Sequence, residues 1–200
     1  MRRTLQIMAV LAAGISSLAV SSSAARAESI FDFLLKPSPV ASSTNAGAVA
    51  SVSPIPREIV DYDGKEKPGT IIVNSPERRL YLVLGDGKAL RYGVGVGRPG
   101  FEWGGVKTIS RKQEWPAWTP PSQMLKRRPD LPRFMAGGIK NPLGARAMYL
   151  GGTLYRIHGS NEPQTIGQAV SSGCIRMTND DVTDLYERVK VGTRVVIIHG

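Results

Sequence analysis

From residue 70 onward, apolar and polar positions alternate mostly with a period of two, which predicts strands. Thr70-Ile71-Ile72-Val73-Asn74 and Arg79-Leu80-Tyr81-Leu82-Val83-Leu84 flank Ser75-Pro76-Glu77. Gly85-Asp86-Gly87 then turns the chain into a run from Ala89 to Val96, so the three runs predict a β-meander. Further strands are predicted at Val106 to Lys112, Ala147 to Leu150, Leu154 to His158 and Thr193 to Ile198. A helical period is clear once: Val182, Leu185, Tyr186 and Val189 fall at i, i+3, i+4 and i+7. Thr178-Asn179-Asp180-Asp181 offers a cap with acids in the first turn, Arg188 and Lys190 suit the C-terminal end, and Gly192 is the expected stop. The Pro-rich stretch from Trp115 to Asn141, which also holds Trp118, has no clear period. Loops of that length in compact domains tend to be functional. The pattern therefore predicts a mainly β domain with one helix near its C-terminal end and a long Pro/Trp-containing loop.

The first 27 residues read as an export signal rather than as part of the fold. Arg2 and Arg3 give a basic start, Ile7 to Ile15 is an unbroken uncharged run, and Ala25-Arg26-Ala27 places small residues where a signal peptidase reads them. That run is too short to span roughly 30 Å of hydrocarbon, so no transmembrane segment is expected after cleavage. The arginine pair raises a twin-arginine route, but a cofactor-free chain has little need of folded export. Residues 28–56 read as a tail and linker, since Pro37 to Pro56 holds four Pro, five Ser and no charged residue. Such a segment has too little apolar bulk to offset chain entropy. Residues 57–200 are the expected domain.

Charge and cysteine usage narrow the function. The 200-residue chain carries 26 Lys+Arg against 16 Asp+Glu; losing Arg2, Arg3 and Arg26 leaves 23 against 16, a net +7. In an exported protein this excess suits an anionic wall or membrane surface better than nucleic acid. With one Cys and two His, no Cys-rich or His-rich metal site can form. Structural cysteines in exported proteins come in pairs, so Cys174 is expected to be reactive or intermolecularly paired.

Among the motifs, Gly95-Val96-Gly97-Arg98-Pro99-Gly100 matches a dinucleotide fingerprint by letter, but Pro99 and the run Phe101-Glu102-Trp103-Gly104-Gly105 do not open a helix. There is no G-x-S-x-G, no S-x-x-K with a K-T-G partner and no H-E-x-x-H. The remaining candidates are Ile157-His158-Gly159-Ser160 and Ser171-Ser172-Gly173-Cys174-Ile175-Arg176-Met177. A thiol needs a base or cation nearby to act as a nucleophile near neutral pH, and His158 is the candidate base. Gly173 lets backbone N–H groups approach a developing oxyanion. Arg176 either pairs with Asp180 or Asp181 or binds a substrate carboxylate. His199 lies in no motif.

These residues resemble the catalytic domain of the L,D-transpeptidases, the YkuD-type family that includes ErfK- and YbiS-like proteins. The likeness runs from about residue 67 to 198: Asn74 and Leu80, Gly95-Val96-Gly97, Asn141 to Ala147, I-H-G-S, Gly167, S-S-G-C-I-R-M and L-Y-E-R-V-K-V-G-T-R-V. His158 and Cys174 stand sixteen residues apart. The family's usual S-H-G-C has Ser172 here in place of its second histidine, which puts in doubt any role of that imidazole.

The resemblance implies a β-sandwich-like catalytic domain with no cofactor and a periplasmic, cell-wall role. Cys174 would attack the L-to-D bond of a peptidoglycan tetrapeptide stem, releasing D-alanine and leaving a thioester. His158 would be the base, oriented by the Gly159 carbonyl. The N–H groups of Gly173 and Cys174 would hold the oxyanion, with Ser172 Oγ as a further donor. Arg176 would fix the loop or a stem carboxylate, and Trp115 and Trp118 would wall the donor groove. The acceptor is left open between a diaminopimelate amine, an envelope-protein lysine and water. Carbapenems should acylate the thiol. The alternative is a non-catalytic peptidoglycan-binding module of the same fold.

Overall fold

The computed structural model describes residues 53–199; the expected signal and most of the expected linker lie outside them. The described residues form eleven strands. These are β1 (Glu58–Asp61), β2 (Ile71–Asn74), β3 (Arg79–Gly85), β4 (Lys88–Gly93), β5 (Val96–Gly97), β6 (Gly105–Glu114), β7 (Arg146–Leu150), β8 (Arg156–His158), β9 (Ala169–Ser171), β10 (Ile175–Arg176) and β11 (Arg194–Ile198). Two helices accompany them, α1 (Ser122–Arg127) and α2 (Asn179–Arg188), with one 3-10 turn at Pro163–Thr165. The fold is mainly β, as the alternation predicts.

Nine strands are hydrogen-bonded in the order β1-β4-β3-β2-β11-β6-β7-β8-β10, and β5 pairs with β9. The expected meander is β2-β3-β4, turned at Asp86-Gly87, both at positive φ, where a tight hairpin turn needs them. β6 joins the two halves of the sheet: Gly105–Thr108 pairs with β11, and Ile109–Glu114 pairs with β7, with a register shift between Ile109 and Arg111. A bulge of this kind bends a strand from one layer into another, giving the sandwich-like form. Ile71, Val73, Leu80 and Tyr92 from the first half meet Met148, Ile157, Ile175 and Met177 from the second in one core.

Helix α2 covers one end of that core with Val182 and Leu185. Thr178 caps it, its Oγ1 accepting from the Asp181 N–H at 3.2 Å. The helix stops at Arg188 rather than running to Gly192. Lys112 of β6 donates to the carbonyls of Tyr186 at 2.6 Å and Val189 at 2.7 Å, so a side chain from the sheet satisfies the last turn. Two other expectations shift. The run from Ala89 to Val96 divides into β4 and β5, because Gly95 leaves the meander to exchange hydrogen bonds with Arg176. The segment from Leu154 to His158 becomes strand only at Arg156.

The expected linker ends in contact with the domain: Ile55 packs against Gly93 and Gly167. Within the long loop, α1 is a single short helix and buried Asn141 is the organiser. Its amide donates to the carbonyls of Pro116 and Ala136, while Oδ1 accepts from Leu143 N–H. No helix among the described residues is long and apolar enough to cross a membrane.

Candidate active site

His158 ends β8, and β10 lies parallel beside it with Ile175 opposite Ile157 and Arg176 opposite His158. Arg176, opposite His158 in register, lies on the same face of the sheet, and Cys174 immediately precedes β10. The imidazole is 4% exposed, and its Nδ1 lies 2.6 Å from the Gly159 carbonyl. A carbonyl can only accept, so Nδ1 carries the proton and Nε2 keeps its lone pair. Burial, with the charges of Arg176 and Arg156 behind it, holds the imidazole pKa down at about 3. The His158 imidazole is therefore unprotonated throughout the neutral range.

The Gly159 carbonyl is itself fixed by close packing. Its N–H donates to the Arg146 carbonyl at 3.0 Å, and Asn179 Oδ1, which accepts from Ala145 N–H at 2.9 Å, occupies the space a Cβ would need. Gly159→Ala is expected to destabilise the domain by about 1–3 kcal/mol, as overpacking does. Chemical denaturation should show this, together with a loss of reactivity at Cys174 in the folded fraction, because the carbonyl must move.

Cys174 is half-buried and free. Its thiol points at the Leu154 carbonyl at 3.8 Å. Burial pushes its pKa up, against the opposing pull of Arg156 and, more weakly, Arg176. Burial thus favours the neutral form of both the Cys174 thiol and the His158 imidazole. Sequence reasoning missed Arg156, whose backbone and side chain both reach the thiol.

The loop before Cys174 is pinned on both sides. Gly173 adopts φ +104°, and a Cβ there would run into the Tyr155 ring. Its carbonyl accepts from Trp103 Nε1 at 2.7 Å, and Trp103 stacks on Tyr155 at 4.2 Å. Its N–H donates to Ser171 Oγ at 3.1 Å, while Ser171 Oγ donates to the Cys174 carbonyl at 2.6 Å. The Gly173 donor expected for an oxyanion is thus engaged within the loop. Arg176 makes an ion pair with Glu162 at 3.0 Å; neither Asp180 nor Asp181 takes that place, because Asp181 lies toward Arg57. Trp115 is exposed at positive φ and Trp118 bridges to Met135. Neither indole joins the hydrogen-bond and stacking network around Cys174 among the described residues. Trp103 and Tyr155 do.

Ser172 Oγ accepts from Arg98 Nη1 at 3.2 Å, which leaves the hydroxyl proton available. Its expected part is to tie the loop to Arg98. Ser172→Ala should therefore slow acylation by less than about tenfold, whereas losing an oxyanion donor costs about 10² to 10³. Single-turnover rates on the two proteins separate these outcomes.

Among the described residues no group of three His, Cys, Asp or Glu side chains could hold a metal ion. The arrangement is of the thiol–imidazole class, on a mainly β scaffold. The chain belongs to the L,D-transpeptidase catalytic domain family, whose model matches residues 68–197. The probable L,D-transpeptidase ErfK/SrfK of Escherichia coli is 42% identical over 153 residues, 72% of this chain and 48% of that protein. The chain thus spans about half the length of this relative. A Brucella melitensis crystal structure described as a probable carnitine operon oxidoreductase is 46% identical, covering 74% of this chain and 97% of that one, with a TM-score of 0.50. In this chain Gly95 and Gly97 pair with Arg176 and Ser171 and open no helix, so the dinucleotide reading gains nothing. L,D-transpeptidase 3 of Mycobacterium tuberculosis, solved with a faropenem-derived adduct, is similar in fold (TM-score 0.54, 16% identity, covering 65% of this chain and 60% of that one).

Proposed function

We propose that this protein is an exported cysteine L,D-transpeptidase of the cell envelope, acting on peptidoglycan tetrapeptide stems. The observation that carries the reading is the placement of Cys174 immediately before β10, the parallel neighbour of β8, which ends at His158, with Nε2 left as the free acceptor. His158 Nε2 takes the thiol proton as Sγ bonds to the carbonyl of the L-to-D peptide bond. The Cys174 N–H and, once it leaves Ser171, the Gly173 N–H hold the oxyanion. The C–N bond then breaks, the proton passes from His158 to the departing D-alanine amine, and a thioester remains. An amine, from a neighbouring stem or an envelope protein, repeats the sequence in reverse.

The basic excess and the adduct seen on the mycobacterial fold relative favour an anionic wall substrate and β-lactam reactivity. A strained carbapenem resembles the acyl donor, so the folded protein is expected to gain the mass of one drug molecule at Cys174. Intact mass and peptide mapping check this. No adduct on folded protein, together with no D-alanine release from tetrapeptide stems and retained wall binding, would favour the non-catalytic binding module.

A further inference from the structure

β6, β7, β8 and β10 lie side by side, and their register aligns a row of side chains across the first three. Arg111 stands opposite Tyr149, and Tyr149 opposite Arg156. Arg156, one residue before Ile157, reaches the thiol of Cys174, one residue before the opposed Ile175. Opposed residues share a face. The row therefore lies on the side that carries His158, away from the buried Met148, Ile157 and Ile175.

Tyr149 is flanked by two guanidinium groups, Arg111 at 3.8 Å and Arg156 at 5.1 Å from the ring centroid. Neither arginine pairs with a carboxylate among the described residues; Arg111 donates only to Gln113 Oε1 at 2.9 Å. The Nε of Arg156 is buried without a hydrogen-bond partner. Arg176, by contrast, is committed to Glu162. A forked donor with an unfilled N–H, next to the nucleophile and held by an aromatic face, is suited to a carboxylate.

We propose that Arg156, backed by Arg111 across Tyr149, binds the C-terminal carboxylate of the residue that leaves when Cys174 attacks, and so selects donors ending one residue beyond the scissile bond. This rests on the donor chemistry proposed above. Only N and Cα separate the attacked carbonyl carbon from that carboxylate, which places it roughly 3–4 Å away. A cation beside the thiol is therefore at the right range. A guanidinium that merely favoured the thiolate would speed every electrophile alike; a carboxylate site distinguishes charged from neutral ones.

The test compares alkylation of Cys174 by iodoacetate and by iodoacetamide, in native and unfolded protein and in Arg156→Gln. The native protein is expected to show a higher iodoacetate-to-iodoacetamide ratio than the unfolded chain. Arg156→Gln should lower that ratio about 10- to 100-fold, the worth of a hydrogen bond to a charged group. Arg111→Gln should lower it less, and serves should Arg156→Gln fail to fold. In parallel, D-alanine or its amide is measured from a tetrapeptide stem and its C-terminal amide. Arg156→Gln should lose kcat/KM on the acid by a factor about 10- to 100-fold larger than any loss on the amide, since the arginine's effect on the thiol is common to both. An equal fall with both alkylating agents, or a native ratio no higher than the unfolded one, overturns the carboxylate site. An Arg156-dependent ratio with neither stem turned over leaves the carboxylate site standing and rejects the donor chemistry instead.

Discussion

Cys174→Ala is expected to abolish D-alanine release from tetrapeptide stems, by about 10⁴-fold or more, with little change in thermal stability. The size of the loss comes from removing the atom that forms the covalent bond, for which no neighbour substitutes. The unchanged stability comes from the site: Cys174 is half-buried just before a short strand, outside the core cluster, and its thiol makes only a long contact to the Leu154 carbonyl and weak contacts with Arg156. The same variant should gain no carbapenem mass. Since the chain has a single thiol, mass spectrometry on the two proteins reads the assignment without ambiguity. Release of D-alanine at the parental rate by Cys174→Ala would remove the nucleophile and the thioester with it. Thermal melts of both proteins show whether any loss comes from unfolding.

The strands of the core were legible because their apolar positions alternate or run unbroken against turn residues. β2, β3 and β11 each carry that contrast. β1 does not: Glu58-Ile59-Val60-Asp61 is an exposed edge strand, made by pairing with β4 rather than by burial. β9 and β10, three and two residues long, are too short to show any period. The same limit hid Arg156. In sequence it is a polar residue alternating with buried Ile157, indistinguishable from a solvated position. Only the parallel pairing of β8 with β10, a contact across eighteen residues of chain, brings it to the thiol of Cys174. Trp103 was missed for a related reason: the indole cluster at Trp115 and Trp118 is conspicuous in sequence, whereas Trp103 reaches Gly173 across 70 residues. Cys174 and His158 were legible because each is one of very few residues of its kind, and because the strand ending at Gly159 and the glycine before the thiol give both a local role.

His158→Gln is expected to lower acylation by about 10² to 10⁴-fold while removing a pH dependence of stability. His199→Gln should do little to acylation, since that residue sits exposed, against Gly104. The pH effect has a definite sign. The folded pKa of His158 is held near 3, against 6.5 for the free imidazole, because burial and two arginines oppose its charge. Below about pH 6.5 the unfolded chain takes up a proton that the folded protein does not, so stability is full above that value and falls as the pH drops toward 3. The slope from this one group approaches about 1.4 kcal/mol per pH unit, or about 2 kcal/mol between pH 6.5 and 5. Carboxylates such as Asp184, held below its ordinary value, contribute to acid loss in both proteins. They cancel in the difference. Urea unfolding at several pH values should therefore show the parent protein losing more stability than His158→Gln between pH 7 and 5, with the gap widening on acidification. Parallel curves would mean that the folded imidazole takes up its proton as readily as the unfolded one, and that burial does not hold it neutral below pH 6.5.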